Sequence, residues 1–418
     1  MLKNRFGVWA AMFCLIMAVL GTPVSAQEDV DQDLLQSWRN FIHFIRIARM
    51  DAAVANGRAF ADSGASAEQI LAVVEASEYA DNYEPDLVRA QKAGGELAEV
   101  ASTVTDIIEE AQLEFARDNA RIEQAVQRLD RGLRARQNAM TFLAESGEYA
   151  APVLLEVVTG REDRDEALKP YALQALTDLG RPVVVPICEA MPYYAPVTQQ
   201  SLARVLANIG YPVALPYMKA LIESPDTEPG TRDVLKQSFQ RIAGNRGISM
   251  SQSASELFLA LAEDYYAQRD SLIMAPTEEQ NLVWDYEPEN NFLNAAKVPT
   301  EIYFDVMAMR NSKQSVELNE QQTDALSLWV AANFRRENNL PPGDSDPTYG
   351  PQMRSPFYYG VLSGPKHLSP VLSRALDDDH SDLALDAIRA LQATGSVEQL
   401  TSSSPLLVAL NDNDRRVR

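Results

Sequence analysis

Few residues in this 418-residue chain have types and spacings that could do chemistry. "SGPK", Ser363 to Lys366, has the S-x-x-K spacing of a serine nucleophile and lysine base, but Gly364 and Pro365 interrupt the single helical turn that would join them. No S-D-N or K-T-G accompanies it, so the match is read as coincidence. His43, His367 and His380 share no metal-ligand spacing, and His43 is read as a partly buried structural residue. "DDDHSD", Asp377 to Asp382, could offer carboxylates to calcium, but the same residues are good helix caps, and capping is the expected role. Cys188 lies in the apolar stretch "VVVPICEAM" and is expected to be an inert buried thiol. Two tyrosine pairs beside prolines, "MPYYAP" and "SPFYYG", are expected to pack at helix ends. No catalytic group, cofactor or metal is therefore expected.

The elements that would position such residues show internal copying. "NAMTFLAESG" ending at Gly147, "YALQALTDLG" at Gly180 and "SLARVLANIG" at Gly210 each place a leucine four residues before a terminal glycine. Weaker copies end at Gly244 and Gly395. Pro152, Pro186 and Pro216 follow the first three glycines by five or six residues. Glycine suits the left-handed position that stops a helix, and proline suits the first turn of the next. The unit is thus helix, turn, helix, with glycines 30 to 34 residues apart over Gly147 to Gly244.

That unit resembles HEAT repeats, particularly their short bacterial form, over about 120–247 and 366–418. The resemblance implies an all-α solenoid whose second helices line a concave binding side. Gln199, Gln200 and Arg204 are then the candidate contact residues, and the implied role is a non-catalytic scaffold for a protein partner.

Outside the copies, the chain divides into 27–119, an N-terminal helical region, and 248–365, an insertion. Trp38, Phe41, Ile42 and Ile45 share one helical face. Leu97, Val100, Val104, Ile107, Ala111 and Phe115 predict a long helix packed as a hairpin, with a coiled-coil dimer as the alternative. In the insertion, 281–299 is compatible with a small β-hairpin, and 299–338 reads as two tetratricopeptide-like helices joined at Asn319. Trp284, Trp329 and several tyrosines gather there, which makes an envelope hydrolase sited in 248–365 the alternative function, with a purely architectural envelope role as a third.

Composition sets the setting. Hydrophobic residues at 46% and charged residues at 23% support a folded core. A net charge of −22 repels phosphate backbones, so nucleic acid is not an expected partner. Lys3 and Arg5, the apolar run Phe6 to Leu20 and the small residues Ser25 and Ala26 read as a signal peptide over 1–26, cleaved between Ala26 and Gln27, with an uncleaved membrane anchor as the alternative. Export to the periplasm or beyond would leave a chain of charge −24 with Cys188 as its one cysteine. At the other end, "ALNDNDRRVR" from Ala409 copies "ALDDDHSDLA" from Ala375 and stops where a second helix should begin. The pattern predicts that the polypeptide continues past Arg418, with apolar residues near 421, 424 and 425.

Overall fold

A computed structural model describes residues 30–160, 165–244, 246–395 and 404–418. The expected signal peptide and its cleavage point lie outside them. The described residues are predominantly α-helical, with one two-stranded sheet. Two compact units divide between Leu179 and Gly180, inside the stretch whose spacing reads as one array.

The first unit opens with α1 (Gln32–Arg46), started by the Asp31 carboxylate, which accepts from the Asp33 and Leu34 amides at 3.0 Å. Its buried face is Leu34, Leu35, Trp38, Phe41, Ile42 and Ile45, the stripe that the spacing picks out. Trp38 is fully enclosed, donates its indole N–H to Ser77 Oγ at 3.0 Å, and meets the rings of Phe60 and Tyr83 at 5.3 Å. His43 corrects the expectation of partial burial: it is exposed. Two residues beyond Phe41, it turns to the opposite side of a 3.6-residue helix.

α2 (Met50–Ala61), α3 (Ala67–Ala76) and α4 (Glu84–Ala93) follow, and all three pack on the long helix α5 (Gly95–Arg117). The helix has the expected length, but it is the spine of a small helical array rather than half of a hairpin. Ile108, not Ile107, is its buried isoleucine. Gly57 allows α2 to lie close, because a β-carbon there would fall 2.5 Å from Val100 Cγ1 and 2.7 Å from the Phe41 ring. Asp118 ends α5 and caps α6 (Asn119–Val126), accepting from the Arg121 amide at 2.9 Å. The unit closes with α7 (Leu133–Ser146), α8 (Ala151–Thr159) and α9 (Asp165–Leu179). Gly147 takes φ 57° after α7, and Pro152 enters the first turn of α8.

The second unit begins with α10 (Val184–Ala190), α11 (Pro196–Ile209), α12 (Ala214–Glu223) and α13 (Pro229–Ala243). Gly210 closes α11 in the left-handed conformation, its N–H donating to Leu206 O at 2.9 Å. Cys188 is fully buried in α10, and burial pushes its thiol well up, as expected of an inert thiol. The helix α14 (Ala254–Tyr266) starts on a capping box of Ser253 and Glu256.

Strands β1 (Gln280–Glu287) and β2 (Phe292–Pro299) form the hairpin in antiparallel register from Gln280 opposite Pro299 to Glu287 opposite Phe292. α15 (Thr300–Leu318) and α16 (Thr323–Asn339) then form the expected pair, with Asn319 as the stop between them. α14 and α15 approach closely through small residues: Ser255 Oγ donates to Ser315 O at 2.8 Å, and Ser315 Oγ returns to Ser255 O at 2.7 Å.

The unit ends with α17 (Pro356–Ser363), α18 (Pro365–Asp377), α19 (Ser381–Ala393) and α20 (Pro405–Ala409). Gly364, at φ 74°, separates Ser363 from Lys366, so the two residues of the "SGPK" stretch occupy different helices. The expected capping by "DDDHSD" is also corrected. His380 holds the cap position of α19 without a side-chain bond, Asp378 ends α18, and Asp379 takes the left-handed turn at φ 54°. Aspartate tolerates that conformation better than most residues, which gives the cluster a turn-forming role instead.

Candidate interaction surface

The three residues expected on a concave side lie on α11, but they are not equally available. Gln199 is buried and donates to Pro192 O at 3.3 Å. Gln200 is half-buried and donates to Thr231 Oγ1 at 3.1 Å, whereas Arg204 is exposed. Two of the three side chains thus tie α11 to its neighbours.

The hairpin is locked to α10 and α15 by charge and by rings. Arg310 on α15 reaches Glu189 on α10 at 2.7 Å and Asp285 on β1 at 3.0 Å, and the Tyr217 hydroxyl donates to Glu189 at 3.0 Å. Burial opposes the Arg310 charge, but Glu189, Tyr217 and Asp285 outweigh it and hold the guanidinium above its ordinary value. Tyr286 stacks on Tyr193 at 4.6 Å and meets Tyr194 edge-on at 5.8 Å. Tyr194 is half-buried, as a packing role requires, while Tyr193 is exposed.

The insertion's buried charged residues, Asp305, Arg335, Arg336 and Asp346, are held in ion pairs. Asp305 is fully buried and ion-paired to Arg335, accepts from Asn339 at 3.1 Å, and has its carboxyl raised by burial against the pull of Arg335. Arg335 also donates to Tyr266 O at 2.8 Å and lies 3.7 Å over the Tyr266 ring. Arg374 forms a two-pronged pair with Glu263, both contacts at 2.7 Å.

The adjoining Arg336 reaches Asp346 at 3.4 Å and lies 3.9 Å over the Tyr349 ring. Asp346 in turn accepts from the Thr348 amide and hydroxyl at 2.9 and 2.6 Å. The Tyr349 hydroxyl donates to Arg354 O at 2.6 Å. A loop that the sequence marks only by its prolines and glycines is thereby pinned where it delivers the chain into α17.

The mounting of α17 is inverted relative to an ordinary surface helix. Its small residues, Pro356 and Gly360, are buried, and three of its large ones, Phe357, Tyr358 and Leu362, face out. A β-carbon at Gly360 would fall 2.6 Å from Phe334 Cζ, so glycine alone allows this seat on α16. Phe357 is 45% exposed, Tyr358 51% and Leu362 69%, with Met353 exposed beside them. Tyr359 packs edge-on against the half-buried Trp329 at 5.2 Å, which stiffens the base of the patch. Packing at helix ends, as expected from "SPFYYG", therefore describes Tyr359 but not Tyr358.

Other chemistry is sparse among the described residues. Ser327 Oγ lies 3.3 Å from His367 Nδ1, but the hydroxyl is also committed to Thr323 O at 3.1 Å. An open depression beside α18 is lined by Ser369, Pro370, Ser373, Arg374, Asp377, Asp378 and Pro405, outside the insertion. No three His, Cys, Asp or Glu side chains converge as metal ligands would among the described residues. No helix there is long and apolar enough to cross a membrane.

The signal for α17 was present as small residues four apart, Pro356 and Gly360, within an uncharged run. Only the contact with Phe334 reveals which half faces inward. Compared with known protein families, with curated proteins and with solved structures, the chain matches none.

Proposed function

We propose that this chain is an exported, non-catalytic scaffold that binds a partner protein in the periplasm or cell envelope. The observation that supports the reading is the outward apolar face of α17. Phe357, Tyr358 and Leu362 are displayed on a helix whose other side is fixed by Gly360 on Phe334 and whose approach is pinned by Asp346 and Tyr349. A rigid cluster of aromatic and aliphatic side chains held in water is costly unless a partner covers it. Complete burial of such a side chain is worth about 1.5–3 kcal/mol, and covering the part exposed here contributes the corresponding fraction.

Crosslinking in the native envelope with wild type and with a Tyr358→Ser/Leu362→Ser variant tests this. The expected result is a reproducible partner captured by wild type and lost from a variant that keeps its helical circular dichroism. Failure of wild type to capture any reproducible partner would overturn the reading.

A further inference from the structure

We infer that the occupant of the α17 face is an amphipathic helix with carboxylates at its ends, carried by a different protein, an inference that rests on the scaffold reading. The basis is local charge. Residues 347–376 contain no aspartate or glutamate, in a chain that has 59 of them and a net charge of −22. Arg354 and Lys366 bracket α17 at its two ends, are both exposed, and form no ion pair among the described residues. An uncharged apolar helix between two free cations is complementary to an apolar stripe flanked by acidic residues. Its eight residues span about 12 Å, which matches roughly two turns of a partner helix.

The same charges argue against the other occupants. A second copy placed α17 against α17 would oppose Arg354 to Lys366 or to itself, with no carboxylate in 347–376 to relieve the repulsion. An anionic bilayer gains on the order of 1 kcal/mol from each of two cations but presents a continuous negative plane to a chain of charge −22. A helix places its carboxylates only where the two cations are.

The test uses synthetic helical peptides of about 18 residues, long enough to hold a helix on binding. One carries Leu and Phe on a single face over two turns, with Glu flanking that stripe at both ends and Gln, Ser or Ala elsewhere; its counterpart replaces Glu with Lys. Fluorescence anisotropy should show the Glu peptide binding at least ~10-fold tighter, with affinity falling as salt is raised. Arg354→Glu/Lys366→Glu should invert the preference, and Tyr358→Ser/Leu362→Ser should abolish binding while circular dichroism is unchanged.

Equal affinity for the two peptides overturns the inference, as does undiminished binding by the Tyr358→Ser/Leu362→Ser variant. So does α17-dependent binding to phosphatidylglycerol vesicles, or an α17-dependent dimer in sedimentation. An envelope partner kept by Arg354→Glu/Lys366→Glu but lost by Tyr358→Ser/Leu362→Ser would overturn the acidic helix and leave the scaffold reading standing.

Discussion

Gly57 and Val100 lie so close that a β-carbon on the glycine would sit 2.5 Å from Val100 Cγ1, with the Phe41 ring 2.7 Å away on the same side. Helix propensity alone favours Gly57→Ala by about 1 kcal/mol, because glycine is the poorer helix former. The contact opposes this, since α2 must move off α5 to make room, at about 1–3 kcal/mol. The variant is therefore expected to unfold at lower urea than wild type. A raised midpoint would show that the helices separate freely.

Gly360 poses the same conflict at a surface site. Gly360→Ala is expected to lift α17 off Phe334 and weaken partner capture, while the rest of the second unit keeps its fold. Protease nicking confined to 350–364 would report the displacement; unchanged nicking together with unchanged capture would contradict it.

Glu145, half-buried on α7, has both carboxylate oxygens buried without a hydrogen-bond partner among the described residues, and desolvation pushes its pKa up to about 7. Its folded pKa lies above its unfolded value near 4.5, so the fold holds this proton more tightly than the unfolded chain does. Its ionisation begins to cost stability as pH rises past 4.5, and the full cost is present above about 7. Thermal midpoints should accordingly gain from Glu145→Gln at pH 8 and change little at pH 4. An equal effect at both pH values would remove ionisation as the cause.

Asp305 and Arg335 form a buried pair in which each charge depends on the other. Asp305→Ala leaves the guanidinium enclosed without its carboxylate and should cost about 3–5 kcal/mol in chemical denaturation. Asp305→Leu combined with Arg335→Met should cost less than either single change, because no orphan charge remains. Additive losses in the double variant would show that the two residues act separately.

How far the sequence could be read depends on the range of the interaction involved. The break at Asn319, the stop at Gly210 and the buried stripe through Trp38 and Ile45 are settled within a few residues, and local pattern carried them. His43 needed only its angle around the helix, whereas the spine role of α5 required knowing that α2, α3 and α4 would surround it.

The candidate surface was less legible for the same reason. Gln200 looks available on its own helix, and its hydroxyl partner Thr231 comes from 31 residues away. The α17 run is apolar on all sides, so periodicity assigns it no inward face; a single ring on α16 decides the matter.

The enclosed sulfur in α10 gives the second unit a built-in stopwatch. In a chain that starts at Gln27, Cys188 is the one thiol, and it can meet a water-borne electrophile only when its surroundings part. The rate at which it consumes a maleimide in excess therefore times that parting without denaturant. Slowing of the rate when a ligand is added would show that binding steadies the helices around α10, even if the ligand lands elsewhere on the unit.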